Sequence, residues 1–317
     1  MKTHINPLAV TFLLAVASLV SANPTGRTTN APPGTRDEIM ESFAAKPGGT
    51  LDFDSDLANV EITTSDSDTL RAEFIREFKV NTAQEADALR QKLNVQMAKT
   101  DNGVKVTVRW AGNRNDNERR KIRLDFRIAM PHKFNLDLRT CGSAKVGDID
   151  GSVKTKIAGG SLRLGNVSGP VTARTDGGSL SLGDVGGELD AQSYGGSVTA
   201  GRVNGRVKAI AEGGSITVTE ASDSIDARAA GGSVAASISK QPKAETKIIA
   251  EAGNIELRLP ASVAVTVDAA CSAGRLSSEF SLLGHQVDDP GRLKGTINGG
   301  GPLVMLRASA GNINLRK

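Results

Sequence analysis

A tripeptide, Gly-Gly-Ser, recurs through the middle of this 317-residue chain at a constant spacing. The copies begin at residues 159, 177, 195, 213 and 231, so each follows the previous one by 18 residues. Cys141-Gly142-Ser143 stands one period earlier as a degenerate copy. A fixed period of this length indicates stacked structural repeats rather than one globular core. Six units therefore cover residues 141–248, the last of them stretched.

Each unit contains two short runs in which apolar residues alternate with polar ones. In the unit that begins at residue 159, the runs carry Leu162 and Leu164, then Val171 and Ala173. Alternation with a period of two predicts strands with one buried face. Two such strands cannot enclose a core alone, but each can pair in parallel with its copy in the next unit. The sequence thus predicts an all-β, single-stranded parallel β-solenoid of 18-residue coils about 4.8 Å apart, right-handed as parallel crossovers usually are.

The composition agrees with narrow coils. The chain has 35 Gly but only eight Phe, one Tyr and one Trp, and the repeats contain a single ring, that of Tyr194. An interior enclosed by two short strands is filled by Leu, Val, Ile and Ala. We expect the Gly pairs to occupy tight corners at positive φ, where Gly is favoured. We also expect the serines that follow them to stack as a ladder of hydroxyl groups.

The N-terminal residues predict export. Residues 1–22 resemble a signal peptide, with Lys2, an apolar stretch over Leu8–Val20 and a cleavage site after Ala22. Residues 23–36 are expected to form a flexible lead-in. No later segment is apolar enough to span a bilayer, which predicts a periplasmic, cell-surface or extracellular protein.

The rest of the chain divides into three parts. Residues 37–140 predict a strand-rich N-terminal cap that merges into the solenoid and contains one helix, Ala83–Lys92, introduced by a capping box at Thr82 and Glu85. Residues 141–248 are the regular coils. Residues 249–317 predict degenerate coils, because the turn signature recurs irregularly, as in Ala310-Gly311-Asn312.

Several of these segments resemble the bacterial putative adhesin family, a group of exported or membrane-attached proteins whose domain has no assigned function. The resemblance covers roughly residues 40–317. Its motifs, in order, are Pro47-Gly48-Gly49-Thr50-Leu51, the strand end at Pro131, the repeated Gly-Ser turns, Leu259-Pro260, and Gly299-Gly300-Gly301-Pro302-Leu303 followed by Ser309-Ala310-Gly311-Asn312-Ile313. The resemblance implies a single-stranded β-solenoid with no assigned enzymatic activity and no functional residues to transfer.

The residue types that carry enzyme chemistry show no active-site pattern. His132 and His285 lie far apart, with no Cys or carboxylate at metal-ligand spacing, so neither a metal nor a cofactor is expected. Cys141 and Cys271 fall about seven coils apart, beyond disulfide reach, and are expected to be free. Without the signal peptide the chain has 38 basic and 35 acidic residues, a net charge of +3, which does not predict nucleic-acid binding.

One basic segment precedes the repeats. It contains Arg114, Arg119, Arg120, Lys121 and Arg123, and forms a candidate basic surface patch that could contact envelope proteins or an anionic surface polysaccharide.

The sequence therefore favours a non-catalytic, adhesin-like scaffold or interaction module in the bacterial cell envelope. Two alternatives stay open. The first is a polysaccharide-binding or polysaccharide-cleaving solenoid, in which Asp190 and Asp226 lie two coils apart with Lys208 between them, roughly 9.6 Å by the strand spacing. The second is a partner of an envelope-stress sensor.

Overall fold

The structure, a computed structural model, describes residues 34–112, 117–284 and 291–317. The predicted signal peptide (1–22) and residues 23–33 of the lead-in lie outside this range, and so do Arg114 and His285. No helix of the described residues is long and apolar enough to cross a membrane.

Two long sheets face each other along the molecule, each with 13 strands. The strands that precede the repeats are β1 (Arg36–Ala44), β2 (Gly49–Ser55), β3 (Asn59–Ser65), β4 (Thr69–Phe78), β5 (Leu93–Thr100), β6 (Gly103–Trp110), β7 (Ile122–Pro131) and β8 (Phe134–Thr140). The helix α1 (Ala83–Gln91) lies between β4 and β5, and a 3-10 turn (Arg119–Lys121) precedes β7.

The repeat strands alternate between the sheets, odd-numbered strands in the first and even-numbered strands in the second. They are β9 (Ala144–Val146), β10 (Val153–Ile157), β11 (Leu162–Leu164), β12 (Val171–Thr175), β13 (Leu180–Leu182), β14 (Leu189–Ser193), β15 (Val198–Val203), β16 (Val207–Ala211), β17 (Ile216–Ala221), β18 (Ile225–Ala229), β19 (Val234–Ile238) and β20 (Thr246–Ala250). In the second sheet Val153 pairs with Val171, Val171 with Leu189 and Leu189 with Val207, all in parallel. The predicted solenoid and its 18-residue register are confirmed, while the handedness stays a prediction.

The glycine corners are real, but the predicted reason for them is wrong. Among the described residues, the glycines with φ between +20° and +160° do not include the repeated pairs. The cause is instead the close stacking of coils. A Cβ on Gly177 would lie 2.7 Å from the carbonyl oxygen of Gly159, and one on Gly213 would lie 2.6 Å from that of Gly195. A side chain at these corners would therefore point along the stack into the preceding coil.

The serine ladder is present, and its hydrogen bonds join backbone N–H groups to hydroxyl oxygens. Each serine hydroxyl accepts the backbone N–H of the corresponding residue one coil further on, which is a serine in every case except Asn254, whose N–H donates to Ser233 Oγ. Ser179 N donates to Ser161 Oγ at 3.2 Å, and Ser197 N donates to Ser179 Oγ at 3.1 Å. Asparagines continue the pattern beyond the repeats, as where Ser143 N donates to Asn59 Oδ1 at 3.1 Å. One column of side chains thus satisfies a corner N–H in successive coils.

The residues before the repeats belong to the same two sheets. Strands β2, β6 and β8 pair in parallel in the second sheet, and β3 and β7 pair in parallel in the first. Aromatic rings fill this wider end, where Phe53 meets Phe126 edge-on at 4.9 Å between ring centroids. Helix α1 begins as predicted: Glu85 N donates to Thr82 Oγ1 at 3.3 Å. The Glu85 carboxylate accepts from Asn81 N, one residue before the position that a capping box specifies.

Two strands of this region, β1 and β5, were not predicted. Both are edge strands and pair antiparallel with a single neighbour, β1 with β4 and β5 with β6. Strand β1 carries Asp37, Glu38 and Glu41, and charges on an edge discourage pairing with other chains. Such a strand lacks the clean apolar alternation that identifies a strand in a sequence.

The coils at both ends are stacked out of chain order. The remaining strands are β21 (Ile255–Arg258), β22 (Val265–Ala273), β23 (Leu276–Ser278), β24 (Arg292–Ile297), β25 (Leu303–Ala310) and β26 (Ile313–Arg316). The final coil, β25 and β26, lies between the coil of β20 and β21 and the coil of β22 and β23. At the other end, β2 lies between β6 and β8, and β3 between β7 and β9. Outside the regular repeats, the order of the coils in the stack therefore differs from their order in the chain.

Candidate functional site

A cavity in the described part of the protein forms a groove along one side of the coils. It has a volume of about 620 Å³ and follows the turn that leads from the first sheet to the second. Its residues recur at the 18-residue period from Asp148 to Glu220 and end at Lys240. The groove therefore crosses six successive coils, five steps of roughly 4.8 Å or about 24 Å in all.

The floor of the groove is backbone. Ile149, Val167, Val185 and Val203 form parallel bridges from coil to coil, and each side chain is at most 2% exposed. Because side chains alternate along an extended chain, the residues on either side of each floor residue point outward. These flanking residues form two rows of side chains, one along each side of the floor.

We name these rows the first rim and the second rim. The first rim consists of Asp148, Asn166, Asp184, Arg202 and Glu220, and the second rim consists of Asp150, Ser168, Gly186, Asn204 and Ser222.

Hydrogen bonds between coils hold the rim side chains in place. In the first rim Asn166 N donates to Asp148 Oδ1 at 2.7 Å, Asp184 N to Asn166 Oδ1 at 2.9 Å and Arg202 N to Asp184 Oδ1 at 2.8 Å. In the second rim Ser168 Oγ donates to Asp150 Oδ1 at 2.6 Å. Asp148, Asn166 and Asp150 are each fixed through one oxygen, and their other polar atom has no partner among the described residues.

One ion pair bridges two coils in the first rim. Arg202 Nη2 lies 2.9 Å from Asp184 Oδ2, and Arg202 Nε donates to the same oxygen at 3.1 Å. The backbone N–H of Arg202 and then its guanidinium hold the pKa of Asp184 below its ordinary value. Asp184 is therefore an ionised hydrogen-bond acceptor at neutral pH.

The groove as a whole carries an excess of negative charge. Four carboxylates line it, those of Asp148, Asp150, Asp184 and Glu220, against the cations of Arg202 and Lys240. His132 closes the end nearest Asp150, whose N–H donates to the His132 carbonyl at 2.8 Å.

The carboxylates suggested for catalysis lie elsewhere, on the outer face of the second sheet. Asp190 pairs in register with Lys208, and Lys208 with Asp226, as the spacing predicted. Both oxygens of the Asp190 carboxylate have neighbours on the protein. Gln192 Nε2 donates to Oδ1 at 3.0 Å, and Arg174 Nη2 lies 3.9 Å from Oδ2. Lys208 and Asp226 line a smaller cavity of about 290 Å³. Sequence reasoning placed these residues correctly.

Four of the five residues of the candidate basic patch are described. Arg119 donates to the carbonyl oxygen of Asp56, and Arg123 Nε donates to Asp125 Oδ2 at 2.8 Å. For Arg120 and Lys121 the described residues offer no ion-pair partner. Half of these four cations are thus already engaged within the protein, and the role of the patch stays a prediction.

Two further sequence predictions concern metal sites and thiols. Cys141 and Cys271 are free, as predicted, with Cys271 buried and Cys141 half-buried. Within the ranges that the structure describes, no group of three or more His, Cys, Asp or Glu side chains could hold a metal ion.

Sequence reasoning missed the groove. Its signal is present in Asp184, Arg202 and Glu220, three charged residues that follow one another at the 18-residue period. The sequence does not show that Val185, a turn residue between two strands, lies in the floor of a groove. Nor does it show that the residues before and after Val185 form the two rims.

Comparison with known proteins places the chain in a family. The model of the Toastrack DUF4097 family matches residues 49–316. A solved structure of a putative cell adhesion protein from Clostridium sporogenes is 14% identical over 88% of this chain and 99% of its own, with a TM-score of 0.24. A putative adhesin from Parabacteroides merdae is 10% identical over 88% of this chain and 96% of its own, with a TM-score of 0.37.

A putative lipid binding protein from Parabacteroides distasonis is 11% identical over 90% of this chain and 98% of its own, with a TM-score of 0.28. No curated protein matches the chain. Because these TM-scores are below 0.5, the assignment depends on the family model, which covers most of the chain. The resemblance identified in the sequence is confirmed, and the protein belongs to the Toastrack DUF4097 family.

Proposed function

We propose that the protein is an exported, non-catalytic β-solenoid that acts as an adhesin-like scaffold or interaction module in the bacterial cell envelope. The observation that carries this proposal is the groove, which crosses six coils and is lined by side chains fixed from coil to coil. A long groove with a continuous floor suits an extended partner better than a compact small molecule. Fixed side chains lose little conformational freedom on binding, which favours recognition.

The state of the carboxylates supports a role without catalysis. A general acid needs a raised pKa, which burial or a neighbouring like charge provides. Asp184 shows the opposite, a lowered pKa caused by Arg202. Asp190 lies beside Arg174, with Gln192 as a hydrogen-bond donor. These hydrogen bonds and ion pairs are the surroundings of carboxylates that hold structure.

Export and binding are tested on the full chain. The chain is expressed in a bacterial host with a C-terminal tag, and the N-terminus of the exported protein is sequenced. We expect it to begin at Asn23. The purified protein is then incubated with bacterial envelope preparations, and both its retention and the release of reducing or unsaturated sugar ends are measured.

We expect retention without release of sugar ends. Release of ends that is lost in Asp190→Ala would instead establish the polysaccharide-cleaving alternative. If no envelope preparation retains the protein, the adhesin-like role is refuted. If the protein stays inside the cell with residues 1–22 still attached, export is refuted.

A further inference from the structure

We propose that the groove binds a neutral, extended β-linked glycan, with one sugar unit at each coil. This inference depends on the proposed binding function and names the ligand of the same site. It differs from the anionic polysaccharide that the basic segment suggested, and it places binding on another surface of the protein.

The shape of the groove requires a linear ligand. The groove repeats the same pair of rim positions at each coil, at a step of roughly 4.8 Å, and its residues come from six coil levels. This step is similar to the length that one sugar adds to an extended β-linked chain. A polymer with such a repeat can meet one pair of rim positions at each level, although the side chains at these positions differ from coil to coil.

The rims offer the hydrogen-bonding groups that sugar hydroxyls need. Within the described residues, Asn166 Nδ2, Asn204 Nδ2 and the second carboxylate oxygens of Asp148 and Asp150 have no hydrogen-bond partner, while the other atom of each group is bound to the next coil. A hydroxyl can donate to such a carboxylate and accept from such an amide. Each group is therefore held in position with one atom still open to a ligand.

The backbone of the floor excludes an added peptide strand. A peptide binds a sheet by pairing with unpaired N–H and C=O groups at an edge. Here the floor residues already pair with each other: Val167 N donates to Asp184 O at 2.8 Å, and Val185 N to Arg202 O at 2.7 Å. Recognition must therefore come from the rim side chains.

The charge of the groove selects against acidic polymers. The groove is lined by four carboxylates and only two cationic side chains, and one of these two, Arg202, is already paired with Asp184. A uronic-acid chain would bring one more carboxylate to each coil, against the negative charge of the rims. A neutral glycan avoids this repulsion.

The test is calorimetric titration of the full exported chain with defined oligosaccharides. The neutral probes are β-linked glucose, xylose and mannose oligomers, each as a series from disaccharide to octasaccharide. Oligogalacturonate is the anionic probe and a glucosamine oligomer the cationic one. For at least one neutral series we expect affinity to rise at least tenfold from disaccharide to hexasaccharide and then to level off, because six coil levels line the groove.

Blocking variants locate the binding site. Asn204→Trp places a large ring over the middle of the groove, and Thr199→Trp is the matched control on the outer face of the first sheet in the same coil. Both positions are exposed, so neither change disturbs the core. We expect Asn204→Trp to weaken hexasaccharide binding at least tenfold and Thr199→Trp to leave it unchanged. Ser168→Trp serves as a second groove variant.

The inference would be overturned by a lack of binding in every neutral series, by preferential binding of oligogalacturonate, or by neutral binding that Asn204→Trp and Ser168→Trp leave intact. Binding of the glucosamine oligomer alone, abolished by salt, would show a simple charge attraction and also overturn it. The proposed function fails separately: if no envelope preparation retains the unaltered chain, the adhesin-like role is refuted, whereas retention without binding of any neutral oligosaccharide refutes only the groove ligand.

Discussion

Replacement of a corner glycine by alanine should separate close stacking from backbone conformation as the reason for the repeated Gly pairs. At Gly178 a Cβ would lie 2.6 Å from the carbonyl carbon of Gly160. Normal carbon–carbon contact begins near 3.4 Å, so the two coils would have to separate by about 0.8 Å. The neighbouring ladder bond from Ser179 N to Ser161 Oγ, now 3.2 Å, would lengthen to about 4 Å and be lost.

These effects give a magnitude for Gly178→Ala. Forcing a methyl group into a packed region costs about 1–3 kcal/mol, and each lost hydrogen bond costs about 0.5–1.5 kcal/mol. We expect the free energy of unfolding to fall by about 2–4 kcal/mol. Gly147→Ala is the matched control, because neither glycine has a positive φ and the nearest atom to a Cβ on Gly147 is the rotatable Thr64 hydroxyl, 3.3 Å away.

Urea unfolding followed by far-UV circular dichroism measures both variants. For Gly147→Ala the expected change lies between no effect and a stabilisation of about 0.4–1 kcal/mol, because alanine restricts the unfolded chain. The midpoint for Gly178→Ala should fall with an unchanged m-value, as for a pure loss of stability. Equal stability of the two variants would refute the stacking argument, because an added Cβ meets the neighbouring coil closely at Gly178 and not at Gly147.

Three further predictions concern the serine ladder, the N-terminal end and the thiols. Ser197→Ala leaves a corner N–H of the next coil without its acceptor and should lower the free energy of unfolding by about 1 kcal/mol, measured in the same urea experiment. Burial raises the pKa of Asp37, but hydrogen bonds from Arg76 and Arg90 together with their positive charge lower it more, so this pKa lies below its ordinary value. The stability that the ionised carboxylate contributes is present above the unfolded pKa of about 3.9. It is lost as the pH falls through the folded pKa. Urea midpoints from Trp110 fluorescence should therefore fall on acidification, and less so in Asp37→Asn. Cys141 is half-buried and Cys271 is buried, so a thiol reagent should label Cys141 first in the native protein, as peptide mass mapping would show; equal labelling would contradict this.

The regular coils could be predicted from the sequence because their information is local and repeated. The alternation around Leu162 and Leu164 specifies a strand, and the 18-residue spacing specifies its neighbour. The physical cause of the Gly pairs was missed, because contact between coils is a property of the stack and a single coil does not show it. The same holds for the serine hydroxyls, whose partner is a backbone N–H in the next coil.

The ends and the groove could not be predicted for related reasons. The same Ala-Gly-Asn-Ile sequence surrounds Gly253 and Gly311, which identifies both glycines as corners. Their spacing does not show that Gly311 stacks directly on Gly253, or that Gly274 stacks on Gly311 although it precedes it in the chain. Edge strands such as β1 carry charges that hide their alternation. The groove depends on turn residues, and the floor at Val185 becomes visible only when six turns are stacked.

The inserted final coil determines how the protein would respond to mechanical load. In a solenoid whose last coil lies at the open end, a force on the C-terminus would unzip hydrogen bonds one at a time. Here β25 pairs along its length with β20 and β22, and β26 pairs with β21 and β23. A pull on Lys317 must therefore shear strands against two neighbours at once. The final coil, which would detach first if it lay at an open end, is held here between two other coils and resists the force.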